Sequence, residues 1–169
     1  QATDNYDYLA NYPGILSYHK HTEGTDSRES RILFKSESCL PEKIQSRTNQ
    51  MADYRDEVVY RHYDGYDNPV EISGKDGIPV SFIWSYRNRF PIARIENATI
   101  QEVYSAIGVT GLDDCAASET PSTLIWGHIN NLRDKLPNAR VTTYQYVPLK
   151  GVVSVIDPNR IVTKFEYDN

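Results

Sequence analysis

The stretch Ile161-Val162-Thr163-Lys164-Phe165-Glu166-Tyr167-Asp168 carries the pattern that decides the fold. In this stretch Ile161, Thr163, Phe165 and Tyr167 occupy every second position, and Lys164 and Glu166 lie between them. A period of two is typical of a β-strand that buries one of its faces. We therefore predict a strand that ends in Tyr-Asp and buries the face carrying Phe165 and Tyr167.

Strands that end in tyrosine recur elsewhere in the chain. The spacing is 23 residues from Tyr63 to Tyr86 and 21 residues from Tyr146 to Tyr167. This spacing suits one two-stranded hairpin per repeat. The three further segments are Val59-Tyr60-Arg61-His62-Tyr63-Asp64, Phe82-Ile83-Trp84-Ser85-Tyr86 and Thr142-Thr143-Tyr144-Gln145-Tyr146-Val147.

Turn-forming residues separate these strands. Asp76-Gly77 and Pro158-Asn159 are residue types that tight chain reversals favour. They predict one hairpin over residues 70–86 and another over residues 151–167. A further strand is expected over residues 91–96.

Tyr146 follows Tyr86 by 60 positions, which is too far for one repeat, and the pattern of the intervening residues is helical. Thr99-Ile100-Gln101-Glu102 has the form of a capping box, and Gly108 is a helix stop. A second helix is expected to begin at Thr120-Pro121. Its apolar residues share one helical face, which must pack against another element; they are Ile125, Ile129, Leu132 and Leu136.

The first 56 residues carry weaker strand patterns. We expect Ile15–Lys20 and Arg31–Lys35 to pair as a hairpin across residues 21–30, followed by a strand over Pro41–Arg47. Asn49–Asp56 is expected to be a linker or a short helical turn. The whole chain, residues 1–169, is predicted to form a single domain. Its parts are N-terminal strands and linker (1–56), β-hairpins (57–97 and 140–169) and a helical insertion (98–139).

Composition narrows the class of protein. The chain has 169 residues, a net charge of -5, and 13 tyrosines against 4 phenylalanines. Tyrosine suits half-buried strands. The negative charge argues against nucleic acid as a partner, and no apolar stretch approaches the ~20 residues of a membrane span.

One pair of cysteines, Cys39 and Cys115, gives no disulfide framework, and whether the two are bonded stays open.

The ordered set of motifs resembles the YD-repeat, or Rhs (rearrangement hot spot), family, particularly the Rhs-repeat proteins of Bacteroides. The resemblance covers about Leu40 to Asn169 and rests on Tyr63-Asp64, Asn68-Pro69, Asp157-Pro158, Tyr167-Asp168 and the ~21-residue spacing. Further matching stretches, in order, are Trp84-Ser85-Tyr86, Phe90-Pro91-Ile92-Ala93, Asn97-Ala98-Thr99, Leu136-Pro137-Asn138-Ala139 and Val141-Thr142-Thr143-Tyr144. The chain departs from the family pattern at Asp67, where glycine is usual, and at Val147, where aspartate is usual.

The resemblance implies a β-hairpin repeat whose sheet spirals into a hollow shell in long members of the family. It implies a secreted or cell-surface location, and in some members a C-terminal toxin within the shell. About three repeats are present here, which is too few to close a shell. Together with the strand and helix patterns, this predicts an α+β fold that is mainly β: an antiparallel β-hairpin meander with a two-helix insertion packed on one face.

The function expected from this resemblance is that of a non-enzymatic structural segment, with neighbouring repeats of a longer chain or a protein as its partner. An alternative is a glycan- or protein-binding module. The candidate ligand-binding residues are Trp84, Tyr86, Arg87 and Arg89, because flat rings beside guanidinium groups suit sugars and anions. Packing of the rings in a hairpin core is the structural explanation that we favour over ligand binding.

No catalytic residue, metal site or cofactor is expected. His19 and His21 share a strand face and would form a metal site if a carboxylate such as Glu23 joined them, but two ligands fall short of a closed site, and solvated histidines are the favoured interpretation. Two pairs of adjacent carboxylates, Asp56-Glu57 and Asp113-Asp114, give no sign of the convergence that glycoside hydrolysis needs.

Overall fold

The computed structural model describes residues 2–10, 12, 14–36, 38–108, 112 and 115–168. The fold is mainly antiparallel β, and the strands follow one another across the sheet in chain order, as a meander. The strands are β1 (Ala2–Tyr8), β2 (Leu16–Glu23), β3 (Asp26–Phe34), β4 (Pro41–Thr48), β5 (Arg55–Tyr63), β6 (Pro69–Gly74), β7 (Pro79–Ser85), β8 (Phe90–Glu96), β9 (Arg140–Val147), β10 (Gly151–Ile156) and β11 (Val162–Lys164). The helices are α1 (Ile100–Ile107) and α2 (Thr123–Lys135). The prediction of a mainly β, α+β meander is confirmed.

The chain divides into two compact units. Unit 1 consists of residues 1–61 and 73–77, and unit 2 consists of residues 62–72 and 78–169. In the described part of the chain, no helix is long and apolar enough to span a membrane.

Unit 1 contains the N-terminal strands. β2 and β3 pair from Tyr18 with Arg31 to Glu23 with Asp26, so strand structure extends into residues 21–30, which the sequence predicted to be a loop. The reversal is confined to Gly24 and the residue after it, and Gly24 has a φ of 61°, a conformation that favours glycine. β1 was not predicted, since its sequence is polar and all seven of its residues are exposed.

Unit 1 has no apolar core within its described residues. Every buried apolar side chain of the described chain belongs to unit 2, and the buried side chains of unit 1 are the polar residues Glu29, Gln45 and Ser73. The sheet of this unit is therefore held by backbone pairing and polar contacts.

Unit 2 is built around an apolar layer between sheet and helices. One side of β7, β8 and β9 is almost completely buried, because directly paired residues of an antiparallel sheet point to the same side. The residues on this side are Ser81, Ile83, Ala93, Ile95, Val141 and Thr143. Ile100 and Val103 of α1 and Ile129 and Leu132 of α2 belong to the same buried set. Both helices therefore pack against this side of the strands.

The ends of the helices follow their capping residues. The predicted capping box is present at α1, since the Thr99 hydroxyl accepts from the Glu102 N–H and the Glu102 carboxylate accepts from the Thr99 N–H. The helix α2 begins two residues later than the predicted start at Thr120-Pro121. Ser122 is the N-cap, and its hydroxyl accepts from the Ile125 N–H.

The predicted burial along the last strand is also wrong. Val162, Thr163 and Lys164 of β11 are all exposed, and so are Phe165 and Tyr167. β11 pairs with β10 on one side, and Val162 borders a surface cavity beside Asn130 and Asn131 of α2 without being buried there. The alternation in this segment therefore does not mark a buried face.

Candidate functional site

Three of the predicted ligand-binding residues, Tyr86, Arg87 and Arg89, lie in the turn between β7 and β8, which is formed by residues 86–89. The fourth, Trp84, lies on β7. The turn follows Ser85, whose hydroxyl donates to the Cys115 carbonyl at 2.7 Å. The turn is therefore tied to a short helical turn at residues 115–117.

The backbone of this turn is strained. Tyr86, Arg87 and Asn88 have φ angles of 53°, 57° and 60°, which places three consecutive residues with side chains in the left-handed region. The cost is of order 1–2 kcal/mol per residue. Such a run persists only when the surrounding structure holds it in place.

Hydrogen bonds to the backbone hold the turn in this conformation. The Arg87 N–H donates to the Ser118 carbonyl at 2.8 Å, and the Asn88 N–H donates to the Ala116 carbonyl at 3.0 Å. On the other side, the Asn68 amide donates to the Asn88 carbonyl at 3.0 Å. The left-handed run is thus fixed by two neighbouring segments.

The two aromatic residues of the predicted site pack into unit 2. Tyr86 is only 6% exposed, and its hydroxyl donates to the Tyr146 carbonyl and accepts from the Tyr146 N–H. Burial also raises the pKa of Tyr146 to about 12. Trp84 is half-buried and donates its indole N–H to the Pro69 carbonyl at 3.0 Å. Both rings therefore have structural partners.

The cavity beside Trp84 is too small for a sugar. Its volume is about 60 Å³, well below the ~300 Å³ at which ligand pockets begin.

The two arginines of the predicted site face solvent. Arg87 is exposed and forms an ion pair with Glu119. Arg89 is exposed, and no ion pair joins it to another described residue. The turn consequently offers guanidinium groups to an anion or a protein surface, without an open ring on which a sugar would stack.

The histidine pair on β2 meets a carboxylate, although not the one that the sequence suggested. His19 Nε2 lies 3.0 Å and His21 Nδ1 lies 2.8 Å from the same Asp4 oxygen, while Glu23 is exposed. The two histidines lower the pKa of Asp4 through these hydrogen bonds, and the Tyr6 ring stacks on His19 at 4.7 Å. The described residues include no group of three His, Cys, Asp or Glu side chains suited to a metal ion.

A second polar cluster lies on one side of β2–β5 in unit 1, and the sequence did not predict it. We call it the cationic face. It consists of Lys20, Glu29, Arg31, Lys43, Gln45, Arg47, Tyr54 and Asp56. The pairing register brings these residues together, since Lys20 pairs with Glu29, Glu29 with Arg47, Arg31 with Gln45 and Gln45 with Asp56.

Glu29 is the most buried charged group of the cationic face, at 8% exposure. Its carboxylate accepts from the Tyr54 hydroxyl at 2.7 Å and from Arg47 Nε at 2.9 Å, and Lys20 lies at 3.3 Å. These hydrogen bonds, that from Tyr54 above all, lower the pKa of Glu29 to about 2. Glu29 therefore stays ionised across the physiological range.

The other candidate groups are separate from one another. Asp56 accepts from Gln45 and Lys43, whereas Glu57 accepts from Ser46 and Arg55, so the adjacent carboxylates serve different partners. Asp113 and Asp114 lie outside the described residues.

Cys39 and Cys115 are free thiols. Burial raises the pKa of Cys115 to about 11, whereas a thiol nucleophile is activated by a lowered pKa.

Neither comparison with known proteins identifies the chain: no protein-family model matches it, and no curated protein sequence matches it significantly.

Proposed function

We propose that the chain is a non-enzymatic structural segment of a secreted or cell-surface YD-repeat protein, and that its sheet continues into neighbouring repeats. The Tyr-Asp motifs and their spacing support this family, and the meander of antiparallel strands is the architecture that such repeats imply. In this function the chain contributes a segment of a larger β-sheet, and its partners are the strands of neighbouring repeats.

The observation that carries the proposal is the open edge at β11. The Phe165 N–H donates to the Val153 carbonyl at 3.0 Å, so residues 163 and 165 direct their N–H groups at β10. By the alternation of a strand, the N–H groups of Val162 and Lys164 point away from β10. They are available to a further strand.

The side chains along this edge support the same function. Four apolar residues are 45–62% exposed: Ile161, Val162, Phe165 and Tyr167. An edge with exposed apolar side chains is a template for strand pairing, and natural proteins usually cover or charge such edges. A neighbouring hairpin would bury these side chains and complete the β-ladder.

Strand pairing at this edge is tested with Lys164→Pro. Proline removes the outward N–H without removing a bond to β10, whereas the control Lys164→Thr keeps the N–H. We expect the wild type and the Thr variant to associate with rising concentration in sedimentation experiments, with residues 162 and 164 protected from hydrogen exchange in the associated form. The Pro variant is expected to stay monomeric. A wild type that stays monomeric, or a Pro variant that associates as strongly, would contradict the proposal.

We also propose a second function, a protein- or glycan-binding module at the β7–β8 turn, because the left-handed run of residues 86–88 is the kind of strain that often marks a ligand contact. Since the rings of Trp84 and Tyr86 are engaged, the contact would be made by Arg87 and Arg89. Binding on a glycan array that Arg89→Ala removes and Trp84→Phe leaves intact would support it. Loss of binding with Trp84→Phe alone would instead indicate stacking on the indole ring.

A further inference from the structure

We propose that the cationic face of unit 1 is a docking surface for an extended acidic peptide. This inference is independent of strand pairing at β11, because it concerns the side chains on one face of the sheet and not a strand edge.

The charge of the face is the first argument. Its four cations are Lys20, Arg31, Lys43 and Arg47, and its two carboxylates are Glu29 and Asp56, so the cluster carries a net charge of about +2 at neutral pH. The chain as a whole carries -5. Directly beyond the cluster, Asp7 on β1 and Arg61 on β5 add one charge of each sign.

Arg31 is the least neutralised cation of the cationic face. Its Nε donates to Gln45 at 2.8 Å, and no carboxylate among the described residues forms an ion pair with it. Lys20 and Arg47 share the single carboxylate of Glu29, and Lys43 pairs with Asp56 at 2.9 Å. Arg31 also interacts electrostatically with the Asp56 carboxylate, so Asp56 is shared between Lys43 and Arg31. The four cations of the cationic face therefore share two carboxylates, and an incoming carboxylate would meet an excess of positive charge.

The groups are also held in place. The Arg31 guanidinium carbon lies 3.8 Å and that of Arg47 lies 4.5 Å from the centre of the Tyr54 ring. The Tyr54 hydroxyl is in turn fixed by Glu29. A planar guanidinium with restricted freedom suits carboxylate recognition, since less entropy is lost when the pair forms.

The opposite side of the same strands is acidic. The acidic residues that point there include Asp4, Glu23, Asp26 and Glu57, and they outnumber the cations Arg28 and Arg55. An acidic ligand would be repelled from that side, so the charges select one face of the sheet.

The spacing of the cations favours a peptide over a sugar chain. Lys43 and Arg47 lie four positions apart on β4, and Arg31 of β3 pairs with Gln45 between them, so one cation lies about every 6.6 Å along the strand direction. An extended peptide with an acid at every second residue presents carboxylates at the same interval. The Tyr54 ring already stacks with Arg31 and Arg47, whereas a sugar-binding surface needs a free ring face.

The test uses the full chain and a blocked, fluorescein-labelled peptide of about ten residues in which Glu and Thr alternate, a sequence that suits an extended strand. Fluorescence anisotropy is measured from about 0.05 to 0.5 M NaCl, a range that shortens the screening length several-fold. We expect saturable binding that weakens steadily with salt. A Lys-Thr peptide of the same length should not bind.

The matched variants are Arg31→Gln and Arg28→Gln, which remove one arginine from opposite sides of the same strand. We expect Arg31→Gln to weaken binding about fivefold, the loss of one moderately exposed ion pair, and Arg28→Gln to leave it unchanged or to tighten it. Lys43→Gln is a second variant on the same face and is expected to act like Arg31→Gln. Circular dichroism checks that each variant is folded.

Three results would overturn the proposal. They are the absence of saturable binding by the Glu-Thr peptide, equal effects of Arg28→Gln and Arg31→Gln, and tighter binding of polygalacturonate than of the peptide. The last would show that the face takes an acidic glycan.

Discussion

Replacing Glu29 by glutamine should destabilise unit 1 in a way that depends strongly on pH. Glu29 has a pKa of about 2 in the folded chain, against a reference value of 4.5. A difference of this size corresponds to at most about 3.4 kcal/mol at neutral pH, since each pKa unit is worth 1.36 kcal/mol. Because the partners Lys20 and Arg47 are each 36% exposed, solvent screens the network, and we expect about 2 kcal/mol.

The direction of the pH dependence follows from the lowered pKa of Glu29. The stabilisation by Glu29 is fully present above pH 4.5 and is lost as the pH falls toward 2, because protonation removes the charge that Tyr54, Arg47 and Lys20 stabilise. Glutamine has no such transition. The wild type and Glu29→Gln should therefore differ by about 2 kcal/mol at pH 7 and converge near pH 2.

The assay must report on unit 1. Both tryptophans, Trp84 and Trp126, lie in unit 2, so tryptophan fluorescence does not report on the unfolding of unit 1. Hydrogen exchange of the β3 and β4 amides between pH 3 and pH 7, corrected for intrinsic rates, measures the local opening free energy directly. The matched control is Glu23→Gln, which removes an exposed carboxylate from the neighbouring strand.

The reasoning fails if Glu29→Gln and wild type differ by the same amount at both ends of the pH range. It also fails if Glu23→Gln costs as much as Glu29→Gln. Either result would mean that the stability of unit 1 does not depend on the charge of Glu29.

Three further predictions concern unit 2 and can be followed by tryptophan fluorescence during urea unfolding. Gly151→Ala should lower the free energy of unfolding by about 1–3 kcal/mol, because Gly151 has a φ of 119° and an added Cβ would lie 3.0 Å from the Tyr167 hydroxyl. An unchanged unfolding midpoint would contradict this prediction. Leu149→Gly should raise the free energy of unfolding by about 0.5–1 kcal/mol, since Leu149 is fully exposed with a φ of 69°. A loss of stability would refute the claim that the backbone is strained at Leu149. Thr99→Ala should cost about 1 kcal/mol by removing the capping box with Glu102, and Thr99→Ser, which keeps the hydroxyl, should cost much less.

The sequence predicted the elements whose signals are local. The turn at Asp76-Gly77 was located because its residues favour reversal, and Gly77 has a φ of 75°. The helix at Thr99 was located because capping is a contact between residues three apart. The apolar stripe of α2 was also predictable, since its period describes what the helix must bury whatever covers it.

The left-handed run at Tyr86, Arg87 and Asn88 was not predictable. Tyrosine and arginine prefer negative φ, and the hydrogen bonds that hold the run come from residues 116 and 118, about thirty positions away. The cationic face was missed for a different reason. Its strands are polar on both sides, so the alternation that normally tells which side is buried gives no signal, and register is set by pairings that the sequence does not show.

The polar interior of unit 1 also affects how its stability varies with temperature. Exposure of apolar surface raises the heat capacity on unfolding, whereas exposure of polar surface lowers it. A unit whose buried side chains are Glu29, Gln45 and Ser73 should therefore unfold with a small heat-capacity change and have a shallow stability curve. Cooling, which weakens apolar cores, should have little effect on this part of the sheet.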